Sequence, residues 1–487
     1  MRHLLLGLCL LAPACGSDAP DASGKPNVLV ITIDSLRADH VGCYGYDRAT
    51  TPHLDALAAE GVRFDDAYTH APFTAPSHAS LLTSLNIKTH GVHAWAEALS
   101  DTAHNLAERL GPVGYRTGAF YNHPGLVTSN ITRGFDHVSE RTFEEAERTA
   151  DDFLAWVDAG LAEDADQPFA TWLHMWDVHR PYGYRDWTPE FFAERVERDS
   201  LTLAYEETTF GAPEPPTTTA FGRTEAHYNL NPERLNAIRS GRTTEKLRTD
   251  LEYIVDRYDG GVLAADAGLG LILDGLRERG LLDDTLVVVT SDHGEALLER
   301  PACLFTHDPF LYQETLRVPL VVRFPDAQYA GTVVDALVRH VDVIPTIHEV
   351  TDVRLQGDEQ GRSLVELLSG ADAAPRLLLA ETKTRSAKET SAKLAKGEAG
   401  WLEERVALTD GKWKVIFDAT ERTWQLYDLE ADPEEANDLA GSLAHVERLK
   451  EWRQLLEAYR LNWPVAGDTT AVMGSDTENI LGQIGYL

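Results

Sequence analysis

The sequence predicts an α/β protein: a doubly wound, mixed or mostly parallel sheet followed by a small C-terminal α+β subdomain. Two observations carry this. Runs of β-branched residues too apolar for half-exposed strands alternate with stretches whose apolar residues recur at helical spacing. Late in the chain that alternation gives way to a hairpin pattern and one amphipathic helix.

The first residues are read as a leader. Met1-Arg2-His3 is a short positive start, and Leu4 to Ala12 is an apolar stretch too short to span a bilayer. Leu11-Ala12-Pro13-Ala14-Cys15 then resembles a bacterial lipobox, with Cys15 as the lipidated residue; an ordinary cleavage site followed by secretion is the alternative. Residues 1–15 are thus expected to be a signal peptide and 16–25 a flexible tether rich in Asp, Ala, Ser and Pro. The expected destination is the cell envelope, facing the periplasm or the outer surface, or the medium. The membrane is touched only through the lipid.

The body, residues 26–375, reads as the α/β catalytic domain. Asn27–Ile33 is apolar on both faces and predicts a central parallel strand. Pro168–His174, Thr285–Thr290 and Val318–Arg323 predict three more. Val262, Ala265, Leu269, Ile272, Leu273 and Leu276 recur at helical spacing, with Gly280 as a stop. Residues 188–250, with Pro213-Glu214-Pro215-Pro216, read as a long irregular insertion. In the subdomain, residues 376–487, Val406–Thr409 and Trp413–Phe417 flank an Asp410-Gly411 turn and predict a hairpin. Gln425–Tyr427 adds a strand and Val446–Tyr459 a helix, and no internal repeat is evident.

Composition narrows the function. Of 487 residues 43% are hydrophobic and 25% charged, so a sizeable core forms and wholesale disorder is excluded. The 78 acidic residues against 44 basic ones give a net charge of −34. Such a surface repels phosphate backbones and argues against nucleic acid as a partner. An anionic substrate therefore needs a local positive site, most simply a metal ion. Four cysteines do not make a disulfide framework in a chain of this size, and Cys43 and Cys303 read as packing residues.

In α/β sheets, ligands bind beyond the carboxyl ends of the strands. Asp34 follows the first predicted strand, Asp177 and His179 follow the second, and Asp292, His293 and Glu295 follow the third. One Asp after a strand is ordinarily a helix cap. Three such ends together point to a divalent cation, Zn²⁺, Mn²⁺ or, less readily, Ca²⁺. In Thr74-Ala75-Pro76-Ser77-His78, Pro76 marks a helix start and places Thr74 at its N-terminus, where a hydroxyl near a metal can act as a nucleophile. Ordinary capping is the plainer reading of Thr74 taken alone.

Together these motifs resemble the sulfatase family of the alkaline phosphatase superfamily. The resemblance runs through Ile33-Asp34-Ser35-Leu36-Arg37-Ala38-Asp39, Gly42-Cys43-Tyr44-Gly45, Thr51-Pro52-His53-Leu54-Asp55 and Gly61-Val62-Arg63-Phe64. It continues through Thr74–Thr83, on the family's nucleophile signature, and Asp292-His293-Gly294-Glu295, on its metal motif. Leu316–Leu320, Val341–Thr346, Leu426–Leu429 and the closing Ile484–Leu487 are later markers. The resemblance implies an alkaline-phosphatase-like fold and hydrolysis of a sulfate or phosphate ester, with small-molecule, glycan or lipid-type esters as substrates.

The departures alter the implied chemistry. Typical sulfatases carry Cys or Ser at the first signature position, oxidised to formylglycine, and Arg at the fifth; here these are Thr74 and His78. Threonine is not a substrate for that oxidation, so no formylglycine is expected. Ser35 stands where a second aspartate is usual, and Asp292-His293 where calcium sulfatases have Asp-Asn. This set is similar to that of phosphodiesterase, phosphonate hydrolase or phosphotransferase relatives, which use a threonine directly. The resemblance implies one cation held by Asp34, Thr74, Asp292 and His293, with Thr74 as nucleophile. His78 and Asn122 would donate to non-bridging oxygens, and His179 would protonate the leaving group. His307 falls where many members have a substrate-binding Lys. A second metal site made of Asp177, His179 and His307, as in two-zinc relatives, is the open alternative. Transfer of a phospho group, or binding an anion without turnover, are the alternative functions.

Overall fold

A computed structural model of the chain describes residues 22–462, apart from 94–96, 124–125, 127–128, 142–143, 181, 183–244, 298, 301–304, 355, 373 and 385–402. The expected leader with Cys15, Cys303, the closing Ile484–Leu487 and most of the expected insertion lie outside the described residues. Residues 245–250, read as part of that insertion, instead open a long helix.

The large sheet is mixed. Its strands are β1 (Asn27–Ile33), β2 (Val62–Tyr68), β3 (Arg116–Tyr121), β4 (His137–Glu140), β5 (Phe169–Met175), β6 (Thr285–Ser291), β7 (Arg317–Arg323), β8 (Thr332–Val334) and β9 (Val338–Arg339). They lie in the order β4-β3-β5-β1-β6-β7-β2-β8, with β9 beside β2. From β4 to β6 every pair is parallel, whereas β7 runs antiparallel to both β6 and β2.

The sequence of β1 explains its central place. All seven residues are buried. Leu29, Ile31 and Ile33 join one core, with Leu54 and Leu57 of α1 (Pro52–Glu60). That core also takes in Phe153 and Val157 of α3 (Ala146–Glu163) and Leu269 and Ile272 of α4 (Glu245–Glu278). Val28 and Val30 point to the opposite core, with Ala75 and Leu82 of α2 (Thr74–Thr83) and Ile344 and Ile347 of α5 (Val343–Val350). A strand with helices on both faces needs apolar side chains at odd and even positions alike. The apolar positions that predicted α4, Val262 to Leu276, are buried as expected.

The C-terminal region forms a separate antiparallel sheet of β10 (Leu378–Thr384), β11 (Glu403–Thr409), β12 (Trp413–Asp418) and β13 (Thr423–Asp428). The predicted hairpin is β11–β12, with Thr409 opposite Lys414. Val406, Leu408 and Val415 pack against Trp452, Leu455 and Leu456 of α6 (Val446–Asn462). Ala407, Ile416 and Tyr427 pack the other way, on Tyr68, Leu311 and Leu316. A buried ion pair adds to this contact. Lys414 Nζ lies 2.9 Å from Glu435 Oε1 with both side chains fully buried, and Glu435 Oε2 accepts from the Gln313 amide at 2.7 Å. Removing one member of a buried pair strands the other charge, at a cost of about 3–5 kcal/mol. We therefore expect Lys414→Ala to lower unfolding free energy by about 3 kcal/mol or more in denaturant titration. A variant as stable as wild type would show that the pair contributes nothing to holding the small sheet.

Candidate active site

Four adjacent parallel strands, β3, β5, β1 and β6, end on the same edge of the sheet. Thr32 pairs with His174, and Ile33 with Ser291, so the residues that follow emerge side by side. Asn122 and His123 leave β3, His179 follows β5, Asp34 leaves β1, and Asp292 and His293 leave β6. Parallel register thus gathers side chains that are hundreds of residues apart.

Asp34, Asp292 and His293 form one group, fully buried, whose ligand atoms lie within 4.8 Å of one another. His293 Nε2 is 3.4 Å from Asp292 Oδ2 and 3.9 Å from Asp34 Oδ1. The Thr74 hydroxyl reaches the same nitrogen at 3.3 Å. His293 Nδ1 donates to the Gly294 carbonyl at 2.8 Å, which turns Nε2 toward the carboxylates. Gly294 has no room for a side chain, because a Cβ there would sit 2.1 Å from the Glu314 carbonyl oxygen.

Two buried carboxylates so close demand positive charge. Burial, and then the charge of Asp34, push Asp292 up to about 6. Burial alone would lower His293, yet Asp292 and Asp34 hold it above its ordinary value. Asp292 Oδ2 has no hydrogen-bond partner among the described residues. Burial opposes ionisation of Asp34, but His179, together with the hydrogen bond from His174, holds it well below the usual carboxylate range. An orphaned carboxylate oxygen beside a second carboxylate, an imidazole and a hydroxyl fits a divalent cation.

Ser35 takes the place of a second aspartate and works differently. Its hydroxyl donates to Asp34 Oδ1 at 2.8 Å and its amide to Asp292 Oδ1 at 3.1 Å. It holds φ at +59°, a left-handed conformation that costs a serine about 1 kcal/mol or more. Both carboxylates are oriented by that one residue.

Several of the expected site residues are engaged by other parts of the protein. His78 is fully buried beneath the site; Nδ1 donates to the Thr74 carbonyl at 2.8 Å and Nε2 meets the Thr32 hydroxyl at 2.9 Å. Both nitrogens are thus engaged inside the protein, where they brace the start of α2. Asn122 Nδ2 donates one of its two protons to the Glu144 carbonyl at 2.7 Å. Asp177 Oδ1 accepts from the Ala146 amide at 3.2 Å, so it serves the start of α3. The alternative set of Asp177, His179 and His307 is not among the metal-competent groups formed by the described residues.

His307 does reach the site. Its ring lies 4.1 Å from that of His293, and Nδ1 donates to the Pro72 carbonyl at 2.6 Å, fastening the segment that precedes Thr74. Burial, with His293 and His179 nearby, holds it well below its ordinary value, so it is neutral where a lysine would be charged. His179 is also neutral: burial pulls it down to about 4 despite Asp34. Its Nδ1 donates to the Arg180 carbonyl, so that in the neutral ring Nε2 carries the lone pair.

Two residues escaped the sequence reading. His123 stands beside Asn122 and completes a second group with Asp34 and His179. His174 closes β5, with Nε2 3.2 Å from Asp34 Oδ2 and Nδ1 3.0 Å from the Thr32 hydroxyl. Its only signal was a polar residue in an otherwise apolar strand. Thr32 is the node, since Trp172 Nε1 also donates to its oxygen at 3.1 Å. Thr32→Val keeps the volume but strands three buried polar groups, each worth about 1–3 kcal/mol. We expect a clear loss of stability in denaturant titration, and an unchanged unfolding midpoint would remove Thr32 from the support of the site.

The comparisons agree with this architecture. The family model named Sulfatase matches residues 26–353. An N-acetylglucosamine-6-O-sulfatase of Bacteroides thetaiotaomicron is 26% identical, over 97% of this chain and 93% of its own. A choline-sulfatase of Rhizobium meliloti is 25% identical over 86% and 83% respectively. The fold is shared with a phosphonate monoester hydrolase of Agrobacterium radiobacter at a TM-score of 0.68 and 20% identity, covering 90% of this chain and 96% of that one. It is shared equally with a protein solved with its substrate D-glucosamine-2-N,6-O-disulfate, at 0.68 and 22% identity, over 92% and 100%. With a family model spanning most of its length and the family's motifs gathered at one sheet edge, the chain belongs to the sulfatase family of ester hydrolases.

Proposed function

We propose that this hydrolase is exported, depends on a divalent cation, and cleaves an anionic ester with the unmodified Thr74 hydroxyl as nucleophile. The observation that carries this is the position of Thr74: first residue of α2, buried, with its hydroxyl 3.3 Å from His293 Nε2 and the two carboxylates beyond. A divalent cation held by Asp34, Asp292 and His293 supplies Lewis acidity, favouring the ionised hydroxyl and offsetting the negative charge of the ester.

The chain's own residues do the rest. His78 and His307 fasten the helix start through the Thr74 and Pro72 carbonyls. The Thr74 oxygen attacks sulfur or phosphorus, the alkoxide departs, and a threonine ester remains for water to cleave. Oxidation at a threonine Cβ, which bears a methyl, yields a ketone and not an aldehyde, which supports a site without formylglycine. Water attack at the sulfur of a threonine sulfate is slow, whereas a phosphorylated threonine is released at phosphorus. That asymmetry supports a phosphate diester or phosphonate at least as well as a sulfate ester. The names of the relatives support a glycan or small-molecule ester. Competent side chains at every cation-binding position support turnover over binding alone. Export, with lipid attachment at Cys15, is supported by the apolar run and the small residues before that cysteine.

Two measurements test the reading. On a panel of aryl sulfate, phosphate monoester, phosphate diester and phosphonate monoester, Thr74→Ala should lose activity by about three orders of magnitude or more, while Thr74→Ser retains part. The peptide carrying Thr74 should have the unmodified mass; a mass two hydrogens lower, or wild-type rates in Thr74→Ala, would overturn the nucleophile. For export, we expect labelled fatty acid in the wild type and none in Cys15→Ala, with wild-type protein in the membrane fraction; an unlabelled, soluble wild type would exclude the anchor.

A further inference from the structure

The sheet edge carries a second constellation that shares only Asp34 with the first. Asp34, His123 and His179 each present a ligand atom, and these atoms lie within 4.8 Å of one another. His123 is 5% exposed, and its ring meets that of His179 nearly at right angles, 79°, with centroids 5.9 Å apart. The proton inventory bears on what sits between them. The Arg180 carbonyl oxygen can only accept, so His179 carries its proton on Nδ1 and keeps a bare lone pair at Nε2. Fixing the far nitrogen by a backbone carbonyl is how proteins orient metal-binding histidines, and His293 is fixed in the same way through Gly294.

We propose that Asp34 bridges two divalent cations, the second held by Asp34, His123 and His179. This rests on the reading that Asp34, Asp292 and His293 hold the first. The two donor sets differ in kind. The first offers carboxylate and hydroxyl oxygens with one imidazole, a mostly hard set. The second offers two imidazoles and a carboxylate, the donor set of a catalytic zinc site, with a coordination position left for an anionic oxygen of the substrate. Asp177 is not part of it, being turned to the Ala146 amide, and His307 is held by the Pro72 carbonyl.

The test counts metal and does not depend on turnover. The purified full chain is stripped with chelator, saturated with Zn²⁺, freed of excess by gel filtration and assayed by mass spectrometry of the metal. We expect two equivalents per chain in the wild type and one in His123→Ala and in His179→Ala, with circular dichroism unchanged. Asp292→Asn should lose the other equivalent and keep the one at the histidines. Should His123→Ala fold poorly, His179→Ala, altering a partly exposed residue, reads the same site. One equivalent in the wild type, or two retained in either histidine variant, overturns the proposal; His123 and His179 would then meet the substrate directly. Two equivalents in a chain that cleaves no ester would sink the hydrolase reading and leave this one standing, while ester cleavage with one equivalent would do the reverse.

Discussion

Asp34 and Asp292 are both fully buried and belong to one tight cluster of ligand atoms, and much of the surrounding structure answers that fact. Two carboxylates removed from water repel each other and lose their hydration, and neither penalty is tolerated without compensating donors or positive charge. The neighbourhood supplies both. Ser35 donates through its amide and its hydroxyl, His174 approaches Asp34, and His293 stands between the two acids. What remains unanswered among the described residues is Asp292 Oδ2, and that remainder fits a candidate cation site. The left-handed Ser35 persists because both acids hold it in place.

The histidines around this pair divide by where their protons go. Backbone carbonyls take the Nδ1 proton of His293, His179 and His307, which fixes each ring and leaves its Nε2 for the site. His78 has no nitrogen to spare, because Thr74 and Thr32 occupy both. One residue type therefore does two jobs within one small volume: lone-pair donor at the surface of the site, and brace beneath it. The chain's net charge of −34 adds a general negative field to that of the two buried acids.

The small C-terminal sheet is tied into the same machinery. Glu435 joins Lys414 to the Gln313 amide and, through its carbonyl, to Arg300. Arg300 and Gln313 lie on the connection between β6 and β7, the connection that also carries His307. A buried charge network at the docking face therefore anchors the connection whose His307 fastens the segment before Thr74. This gives the antiparallel sheet a part in positioning the site although it contributes none of the cation ligands.

Much was legible in the residues alone. Apolar runs revealed β1, β5, β6 and β7, helical spacing revealed α4, and the ordered motifs identified the family and the positions of Asp34, Thr74, Asp292 and His293. These are properties of local period and motif, which a chain carries without reference to distant parts. The partners of His78, Asn122 and Asp177, and the presence of His123 and His174, emerged only from the tertiary structure. His78 is engaged by Thr32, Asn122 by Glu144, Asp177 by Ala146, and His174 by Asp34. Each partner comes from another strand, helix or loop, brought near only by the tertiary fold. The sequence by itself determined which side chains arrive at the carboxyl edge; the tertiary structure decided which lone pairs and protons face inward, because that depends on hydrogen bonds between residues far apart in the chain.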